Sequence, residues 1–173
     1  MHREHPYRIC FVCSGNICRS PMAEAVLRRL AADAGLGDRI AVDSAGTGEW
    51  HIGERADLRT LRALAATGYD AGSHRARQFE SAWFAALDLV IALDRGHERT
   101  LRSWAATDAD RAKVRLLRSF DPAASALDGA GLDVPDPYYD DERAFADVLE
   151  QIEAACRGVL TEVSAEIGTA VPR

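Results

Sequence analysis

Residues 8–35, RICFVCSGNICRSPMAEAVLRRLAADAG, decide the fold class, because a strand, a loop and a helix follow one another in this stretch. The run RICFVC is short, apolar and bounded by polar residues, as is typical of a strand buried in a parallel sheet. Ser20 and Pro21 predict the start of a helix, with Ser20 as its N-cap, and Gly35 predicts its end. Between these positions the apolar residues recur at helical spacing: Met22, Ala25, Val26, Leu30 and Ala34.

The rest of the chain repeats this alternation of strands and helices. Strands are predicted at residues 39–46, 87–94 and 113–120, and helices at residues 56–68, 95–106 and 142–167. We therefore expect an α/β protein: a small doubly wound, four-stranded parallel sheet with helices on both faces and a phosphate-binding loop between strand 1 and helix 1. Residues 1–173 are predicted to form one domain, with a flexible tail from about 168 to 173.

The composition is that of a globular protein, with 47% hydrophobic and 28% charged residues and a formal net charge of −6. This charge argues against nucleic acid and anionic membranes as partners. No stretch approaches the roughly 20 apolar residues of a membrane span, and the charged start MHREHPYR is unlike a signal peptide. We therefore expect a cytoplasmic protein whose cysteines are not paired in disulfides. Export without a signal would leave no trace in the sequence.

Four interpretations compete for the cysteines near the first loop. Cys10 and Cys13 have the CxxC spacing of a redox pair, but both fall in a strand, where an offset of three puts side chains on opposite faces. A zinc site would need a second cysteine pair or a histidine cluster at ligand spacing, which the sequence lacks. A buried structural cysteine is the plainest alternative. The fourth interpretation is an anion site that carries a nucleophile.

The loop after the first strand has the composition of such an anion site. Ser14, Gly15 and Asn16 tolerate the left-handed or cramped backbone that turns successive N–H groups inward at a helix N-terminus. Such a nest binds anions, and Arg19 can add two hydrogen bonds to phosphate oxygens. The same field favours the ionised form of a thiol, which makes Cys13 a ready nucleophile for phosphorus.

The segment VCSGNICRSP closely resembles the signature of the low-molecular-weight protein tyrosine phosphatases, in particular their actinobacterial members, and the likeness extends along almost the whole chain. The resemblance implies hydrolysis of phosphotyrosine monoesters through a cysteinyl-phosphate intermediate, without metal or cofactor. It implies that Cys13 is the nucleophile, that Arg19 binds the phosphoryl group and that Ser20 hydrogen-bonds the Cys13 sulfur. The remaining phosphate-binding residues that it implies are Ser14, Gly15, Asn16, Ile17 and Cys18.

A proton donor for the leaving oxygen is expected in DVPDPYYDDE, residues 133–142. Asp136 lies between two prolines, a stiff setting that can present its carboxyl at a fixed angle. A solvated acidic loop would explain the same composition. The resemblance assigns the general acid to an Asp-Pro pair in this loop, and therefore to Asp136, with Asp133 as the next candidate.

Aromatic residues beside these loops are expected to form the substrate slot. By resemblance, Tyr138 or Tyr139 lines the slot, and either is a candidate target of a tyrosine kinase. Trp50, in the loop after the second strand, would form the opposite wall, and Ile17 would contact the substrate ring. A related branch that dephosphorylates phosphoarginine looks to carry threonine at the position of Ile17, so the apolar side chain favours phosphotyrosine proteins as substrates.

Three further residues have expected supporting roles. By resemblance, Ser44 and His74 would hydrogen-bond Asn16 and hold the strained backbone of the first loop. Asp94, at the carboxyl end of the third predicted strand, would anchor the loop that carries Asp136. None of these positions is expected to bind a metal.

Cys18 and Cys156 complete the cysteine count. The resemblance implies that Cys18 can close a reversible disulfide with Cys13, against simple packing as the alternative. Cys156 lies on the apolar stripe of the last helix and is expected in the core. Three other functions remain open: arsenate reduction, which needs a further downstream cysteine pair, protein arginine phosphatase activity, and phosphotyrosine binding without catalysis.

Overall fold

The computed structural model describes residues 3–124 and 126–168, and its sheet has the predicted parallel architecture. The strands pair in the order β2-β1-β3-β4. Their bounds are β1 (Tyr7–Cys13), β2 (Ile40–Gly46), β3 (Leu89–Ala92) and β4 (Val114–Leu116). The central strand β1 is paired on both sides and almost completely buried, which explains its continuous apolar sequence.

Helices cover both faces of this sheet, which confirms the predicted α/β fold. The α-helices of the described residues are α1 (Arg19–Asp33), α2 (Leu58–Ala66), α3 (Arg95–Trp104), α4 (Asp108–Ala112) and α5 (Glu142–Glu166). Short 3-10 helices lie at Ser81–Ala86, Leu117–Phe120 and Gly129–Leu132. α1, α2 and α5 pack on one face, and α3 packs on the other. No helix in this part of the chain combines the length and the apolar character that crossing a bilayer requires.

Successive residues of β1 face opposite cores. Phe11 and Cys13 pack against α1 and α5, whereas Cys10 and Val12 pack on the side of α3. This alternation follows from the period of two along a strand. It also sends the thiols of Cys10 and Cys13 to opposite faces, so the two side chains are not arranged as a redox pair.

The fourth strand is shorter than the sequence predicts. The prediction of a strand over residues 113–120 is wrong beyond Leu116, because Leu117–Phe120 is a 3-10 helix. Leu117 and Phe120, three residues apart, are both buried, which is the spacing of a 3-10 turn. α5 approaches this turn at Gly158, where a Cβ would come 1.8 Å from the carbonyl oxygen of Phe120.

The parallel register brings several loops together at one edge of the sheet. Cys13 lies opposite Gly46, and Val12 lies opposite Ala92, so β1, β2 and β3 end at the same level. The loops that follow them therefore converge there, as expected for the ligand-binding edge of an open parallel sheet. Of the tail predicted from about 168 to 173, only Gly168 is among the described residues.

Candidate active site

Residues 13–20, called the phosphate loop from here on, connect β1 to α1. Asn16 has a φ of 58°, and it is the one non-glycine residue with positive φ in the described part of the chain. The loop lies directly against β2, because a Cβ on Gly46 would be 2.6 Å from the Ser14 carbonyl oxygen. Within residues 3–124 and 126–168, no acceptor is hydrogen-bonded to the backbone N–H groups of residues 14–18. The loop thus presents several free donors at a helix N-terminus, as an anion nest does.

The buried Asn16 side chain is the centre of the hydrogen bonds that hold this backbone. Its Nδ2 donates to Ser20 Oγ at 2.8 Å and to Ser44 Oγ at 2.9 Å. Its Oδ1 accepts from the backbone N–H of Arg77 at 3.0 Å. The backbone carbonyl of Asn16 accepts from His74 Nε2 at 2.7 Å. Every polar group of the Asn16 side chain is therefore used, so a strained conformation is fixed from several directions.

Cys13 ends β1 at the floor of the loop and is 3% exposed. Its Sγ lies 2.9 Å from Ser20 Oγ. Because Asn16 already donates to that hydroxyl, the Ser20 hydrogen is free to point at the sulfur, the nearer of its two acceptors; the Ala45 carbonyl is at 3.4 Å. A hydroxyl donor aimed at sulfur stabilises a thiolate.

The predicted capping role of Ser20 is wrong. α1 begins at Arg19, and Cys18 is the N-cap residue, with no side-chain cap. Ser20 lies two residues after the N-cap, inside the first turn, where it does not cap the free N–H groups. Its hydroxyl is hydrogen-bonded to Cys13 and Asn16 instead. The predicted N-cap, Ser20, is nevertheless within two residues of the observed one, Cys18.

Arg19 is buried and joins the phosphate loop to two other segments. Its Nη1 donates to Asp94 Oδ2 at 2.8 Å and to the Val134 carbonyl at 2.9 Å. Its Nη2 lies 3.6 Å from Asp136 Oδ2. With Nη1 occupied in this way, the guanidinium is held in one orientation, and its remaining donors lie close to both Asp136 and the nest.

A second buried contact reaches the phosphate loop from α3. His97 Nε2 lies 2.8 Å from Ser14 Oγ, and His97 Nδ1 accepts from the backbone N–H of Asp94 at 3.2 Å. Burial lowers the pKa of His97 to about 4, and the charge of Arg19 adds to this effect. His97 is therefore neutral at physiological pH.

Residues 133–141, called the acid loop from here on, carry the predicted proton donor over the mouth of the nest. The Asp136 side chain is 49% exposed, and its Oδ1 accepts from the backbone N–H of Tyr138 at 3.1 Å. One end of the loop is fixed by Asp133, which accepts from the Arg95 backbone N–H at 2.9 Å and pairs with its guanidinium. The other end is fixed by Arg59 Nη1, which donates to the Asp140 carbonyl at 3.0 Å.

Asp94 is connected to the acid loop through Arg19. Its carboxylate accepts from Arg19 Nη1, which also donates to the Val134 carbonyl of that loop, and from the backbone of His97, where it caps α3. The direct contacts to the loop come from its neighbours: the Leu93 carbonyl accepts from Val134 N–H at 2.9 Å, and Arg95 is bonded to Asp133. The anchoring role of Asp94 stays a prediction.

A cavity of about 350 Å³ opens where the two loops meet. Gly15 lines it next to His51, whose ring a Cβ on Gly15 would meet at 2.7 Å. Trp50 is 70% exposed and folds over Gly48 at the rim. All predicted catalytic and substrate-slot residues line the cavity: Cys13, Ile17, Arg19, Trp50, Asp136, Tyr138 and Tyr139. Ser44, His74 and Asp94 lie behind it, in contact with the loop residues described above.

The remaining cysteines differ from Cys13 in their surroundings. Burial raises the pKa of Cys18 to about 12, with the carboxylate of Asp57 adding to the effect. Burial also raises the pKa of Cys10 and of Cys156. These three side chains are therefore thiols at physiological pH, and Cys156 lies in the core as predicted. The Cys13–Cys18 disulfide implied by the resemblance stays a prediction; the two cysteines are not bonded to each other in this structure.

Sequence reasoning missed two histidines at this site, His51 and His97. His51 follows Trp50 directly, lines the cavity, and its Nδ1 lies 2.8 Å from Glu54 Oε2. Its position next to Trp50 in a loop at the ligand-binding edge was an available signal. His97 gave no comparable signal, because it lies inside an amphipathic helix and meets Ser14 only through the fold.

Comparison with known proteins points to one family. A family model described as low molecular weight phosphotyrosine protein phosphatase matches residues 8–169. A low molecular weight protein-tyrosine-phosphatase of Streptomyces coelicolor is 58% identical over 161 residues, which cover 93% of this chain and 96% of that protein. Low molecular weight protein-tyrosine phosphatase A of Mycobacterium tuberculosis is 47% identical over 154 residues, or 89% of this chain and 90% of that protein.

The fold is also similar to solved structures. The crystal structure of a protein tyrosine phosphatase from Entamoeba histolytica, with Hepes in its active site, superposes with a TM-score of 0.83. Its sequence is 31% identical, and the match covers 94% of this chain and 98% of that one.

Proposed function

Since the chain belongs to the low molecular weight phosphotyrosine protein phosphatase family, we propose that it hydrolyses phosphotyrosine monoesters in proteins through a cysteinyl-phosphate intermediate, without a metal ion. One observation carries this proposal. Cys13 Sγ, with Ser20 Oγ at 2.9 Å, lies at the floor of a nest of free backbone N–H groups, with the buried Arg19 close by and the half-exposed Asp136 at its mouth. A nucleophile, an anion site and a proton donor thus share one cavity.

In the first step the Cys13 thiolate attacks phosphorus, and an S–P bond forms as the P–O bond to the tyrosine breaks. The electron pair of that bond goes to the phenolic oxygen, which takes a proton from Asp136. The half-exposed carboxyl of Asp136 can reach both this oxygen and solvent. The backbone N–H groups and Arg19 stabilise the charge on the equatorial oxygens of the transition state.

In the second step water attacks phosphorus, and the Asp136 carboxylate takes its proton. The S–P bond breaks, inorganic phosphate leaves, and Cys13 returns as a thiolate. The Ser20 hydroxyl supports both steps, because it stabilises sulfur as an attacking and as a leaving thiolate. Cys18 is a less suitable nucleophile, because burial raises its pKa to about 12.

The shape of the cavity supports an aromatic phosphoester over an aliphatic one. Cys13 is 3% exposed at the floor, while Trp50 and Tyr138 stand at the rim, so the phosphate must be carried inward on a long, flat group. Ile17 lines the cavity with an apolar side chain and offers a guanidinium no polar partner. These features support phosphotyrosine over phosphoserine and phosphoarginine.

The test is hydrolysis by the full chain of phosphotyrosine, phosphoserine and phosphoarginine peptides, and of an aryl phosphate with and without a chelator. We expect turnover of the phosphotyrosine peptide and of the aryl phosphate, unchanged by the chelator. Cys13→Ser should abolish it, while Cys156→Ala, a matched change of a core thiol, should retain it. Chelator-sensitive turnover, or an active Cys13→Ser, would contradict the mechanism. A preference for phosphoarginine would contradict the substrate class.

Two parts of the proposal lie further from the site chemistry. Tyr139 is 91% exposed and Tyr138 37%, so Tyr139 is the more accessible candidate for a tyrosine kinase. Incubation with such a kinase and mass spectrometry of the Tyr139→Phe variant would test this. A cytoplasmic location stays a prediction from the sequence, and fractionation of cells that express the chain would test it.

A further inference from the structure

The hydrogen bonds around His97 fix which of its ring nitrogens carries the proton. Nδ1 accepts from the backbone N–H of Asp94, so it holds a lone pair and no hydrogen. Asp94 Oδ1 is also 3.2 Å from Nδ1, but that contact lacks hydrogen-bond geometry, and Oδ1 accepts instead from the His97 backbone N–H at 3.0 Å. Since the buried imidazole is neutral, its single proton must be on Nε2.

This tautomer determines what the Ser14 hydroxyl can do. His97 Nε2–H is the donor in its 2.8 Å contact with Ser14 Oγ, so the serine oxygen is the acceptor. The hydroxyl hydrogen of Ser14 is then free to rotate away from the histidine. Ser14 lines the cavity together with Cys13 and Arg19, whereas His97 is buried behind it. The free hydrogen can therefore point into the cavity in which a phosphoryl group would be held.

We propose that the Ser14 side chain is a donor to the phosphoryl oxygens, beyond the backbone nest, and that His97 is a positioning residue that orients it. The inference rests on the proposed phosphatase function only for the identity of the natural oxyanion. The Ser14 backbone is fixed independently, because its carbonyl accepts from the Gly48 N–H at 3.0 Å. Only the side-chain torsion is left for His97 to set.

The contact also connects two phosphate-binding groups. Ser14 is hydrogen-bonded to His97, whose backbone and side chain are both hydrogen-bonded to Asp94. The Asp94 carboxylate in turn accepts from Arg19 at 2.8 Å. Residues at the N-terminus of α3 thus hold both a neutral donor, Ser14, and a charged donor, Arg19. Both are held in place before a ligand arrives, which lowers the cost of binding an oxyanion.

The test measures binding of inorganic phosphate by calorimetry, and inhibition of aryl phosphate hydrolysis by the same ion. A hydrogen bond to a charged ligand corresponds to about a 10-fold change in affinity, so Ser14→Ala should weaken phosphate binding by about that factor. Ser14→Thr keeps the hydroxyl and should stay within about two-fold of the parent. His97→Asn keeps an acceptor for Asp94 N–H but has no donor that reaches Ser14, and should weaken binding about three- to five-fold. His97→Gln has such a donor and should restore most of the affinity.

Coupling between the two residues distinguishes positioning from a merely structural role. If His97 acts through Ser14, the double variant Ser14→Ala/His97→Asn binds phosphate no more weakly than Ser14→Ala. Additive losses, or parental affinity in Ser14→Ala, would overturn the inference. Calorimetry measures phosphate affinity without turnover, so the variants can be compared even if the parent hydrolyses no phosphoester. Such a failure would contradict the proposed function, whereas the phosphate affinities would still test the roles of Ser14 and His97.

Discussion

The phosphate loop and the acid loop supply the two halves of one proposed reaction, yet they are built in opposite ways. In the phosphate loop, Asn16 and Ser20 are completely buried and hydrogen-bonded from several elements. In the acid loop, Asp136 is half exposed and Tyr139 is almost fully exposed. The first loop is fixed along its whole length, while the second is held at its two ends.

The difference follows from what each loop must do. Stabilising a doubly charged phosphoryl group requires dipoles that are already in place, because reorganising them would cost the energy that they are meant to supply. A proton donor must instead exchange its proton with water in each cycle, and the aromatic substrate must enter beneath it. Arg19 belongs to the phosphate loop and contacts Val134 and Asp136 of the acid loop, so it is the point at which a rigid site and an open one are aligned.

The strongest test of this comparison is Arg19→Lys. Lysine keeps the charge but cannot hold Asp94, Val134 and a phosphoryl group at once, so we expect kcat to fall by roughly 10³-fold or more, a loss on the scale of a lost transition-state charge clamp. Steady-state kinetics with an aryl phosphate measures it. Arg28→Lys, on the same helix, should change kcat less than about two-fold. Similar losses in both variants would contradict the assigned role.

Asp136→Asn separates the acid loop from the phosphate loop. Without an acid, kcat/KM, which reports the step that releases the phenol, should fall by roughly 10²-fold for a phenyl ester with a poor leaving group. It should fall far less for a nitrophenyl ester, whose oxygen leaves without a proton. The measurement is the dependence of kcat/KM on leaving-group pKa. Asp140→Asn in the same loop should show the parental dependence. An equal loss for both esters would assign the acid elsewhere, with Asp133 as the next candidate.

The same contrast explains which parts of the site the sequence could predict. The phosphate loop is contiguous, and its chemistry depends on neighbours in the chain, so Cys13, Asn16 and Arg19 could be singled out from one motif. Asp136 and Trp50 lie far from that motif. Asp136 was assigned by family resemblance, and Trp50 by its place in the loop after the second strand. The sheet order brings them to the same cavity, which no local pattern encodes.

What the sequence missed depends on side-chain geometry. His97 meets Ser14 across 83 positions of sequence, and only the packing of α3 against β3 and β4 brings the two residues together. Ser20 looked like a helix cap because caps and sulfur partners are both small hydroxyl residues. The fourth strand was overestimated because apolar spacing over four residues cannot separate a strand from a 3-10 turn.

The buried His97 predicts that the stability of the folded chain is sensitive to acid. Above pH 6.5 the histidine is neutral in both folded and unfolded chains. As pH falls from about 6.5 toward about 4, the unfolded chain takes up a proton that the folded chain excludes, so the free energy of unfolding decreases. We expect a loss of about 2 kcal/mol from this residue.

Urea unfolding at pH 7 and at pH 4.5 checks this expectation. The pH dependence should be smaller in His97→Gln than in the parent, because glutamine does not titrate. His5→Gln, a change at an exposed histidine, should leave the dependence unchanged. If His97→Gln retained the full pH dependence of the parent, the buried imidazole would not be its source, and the Asp94 carboxylate would be the next candidate.

The smallest expected effect lies at the tether of the acid loop. Arg95→Ala removes the guanidinium from Asp133 but keeps the backbone N–H bond, and exposed pairs of this kind contribute about 0.5 kcal/mol. Asp136 should then be less well placed, lowering kcat about two-fold for poor leaving groups while phosphate binding stays parental. Arg111→Ala, which removes another surface pair, should change neither. Weakened phosphate binding in Arg95→Ala would contradict the comparison, because a change in the exposed acid loop would then have disturbed the buried phosphate loop.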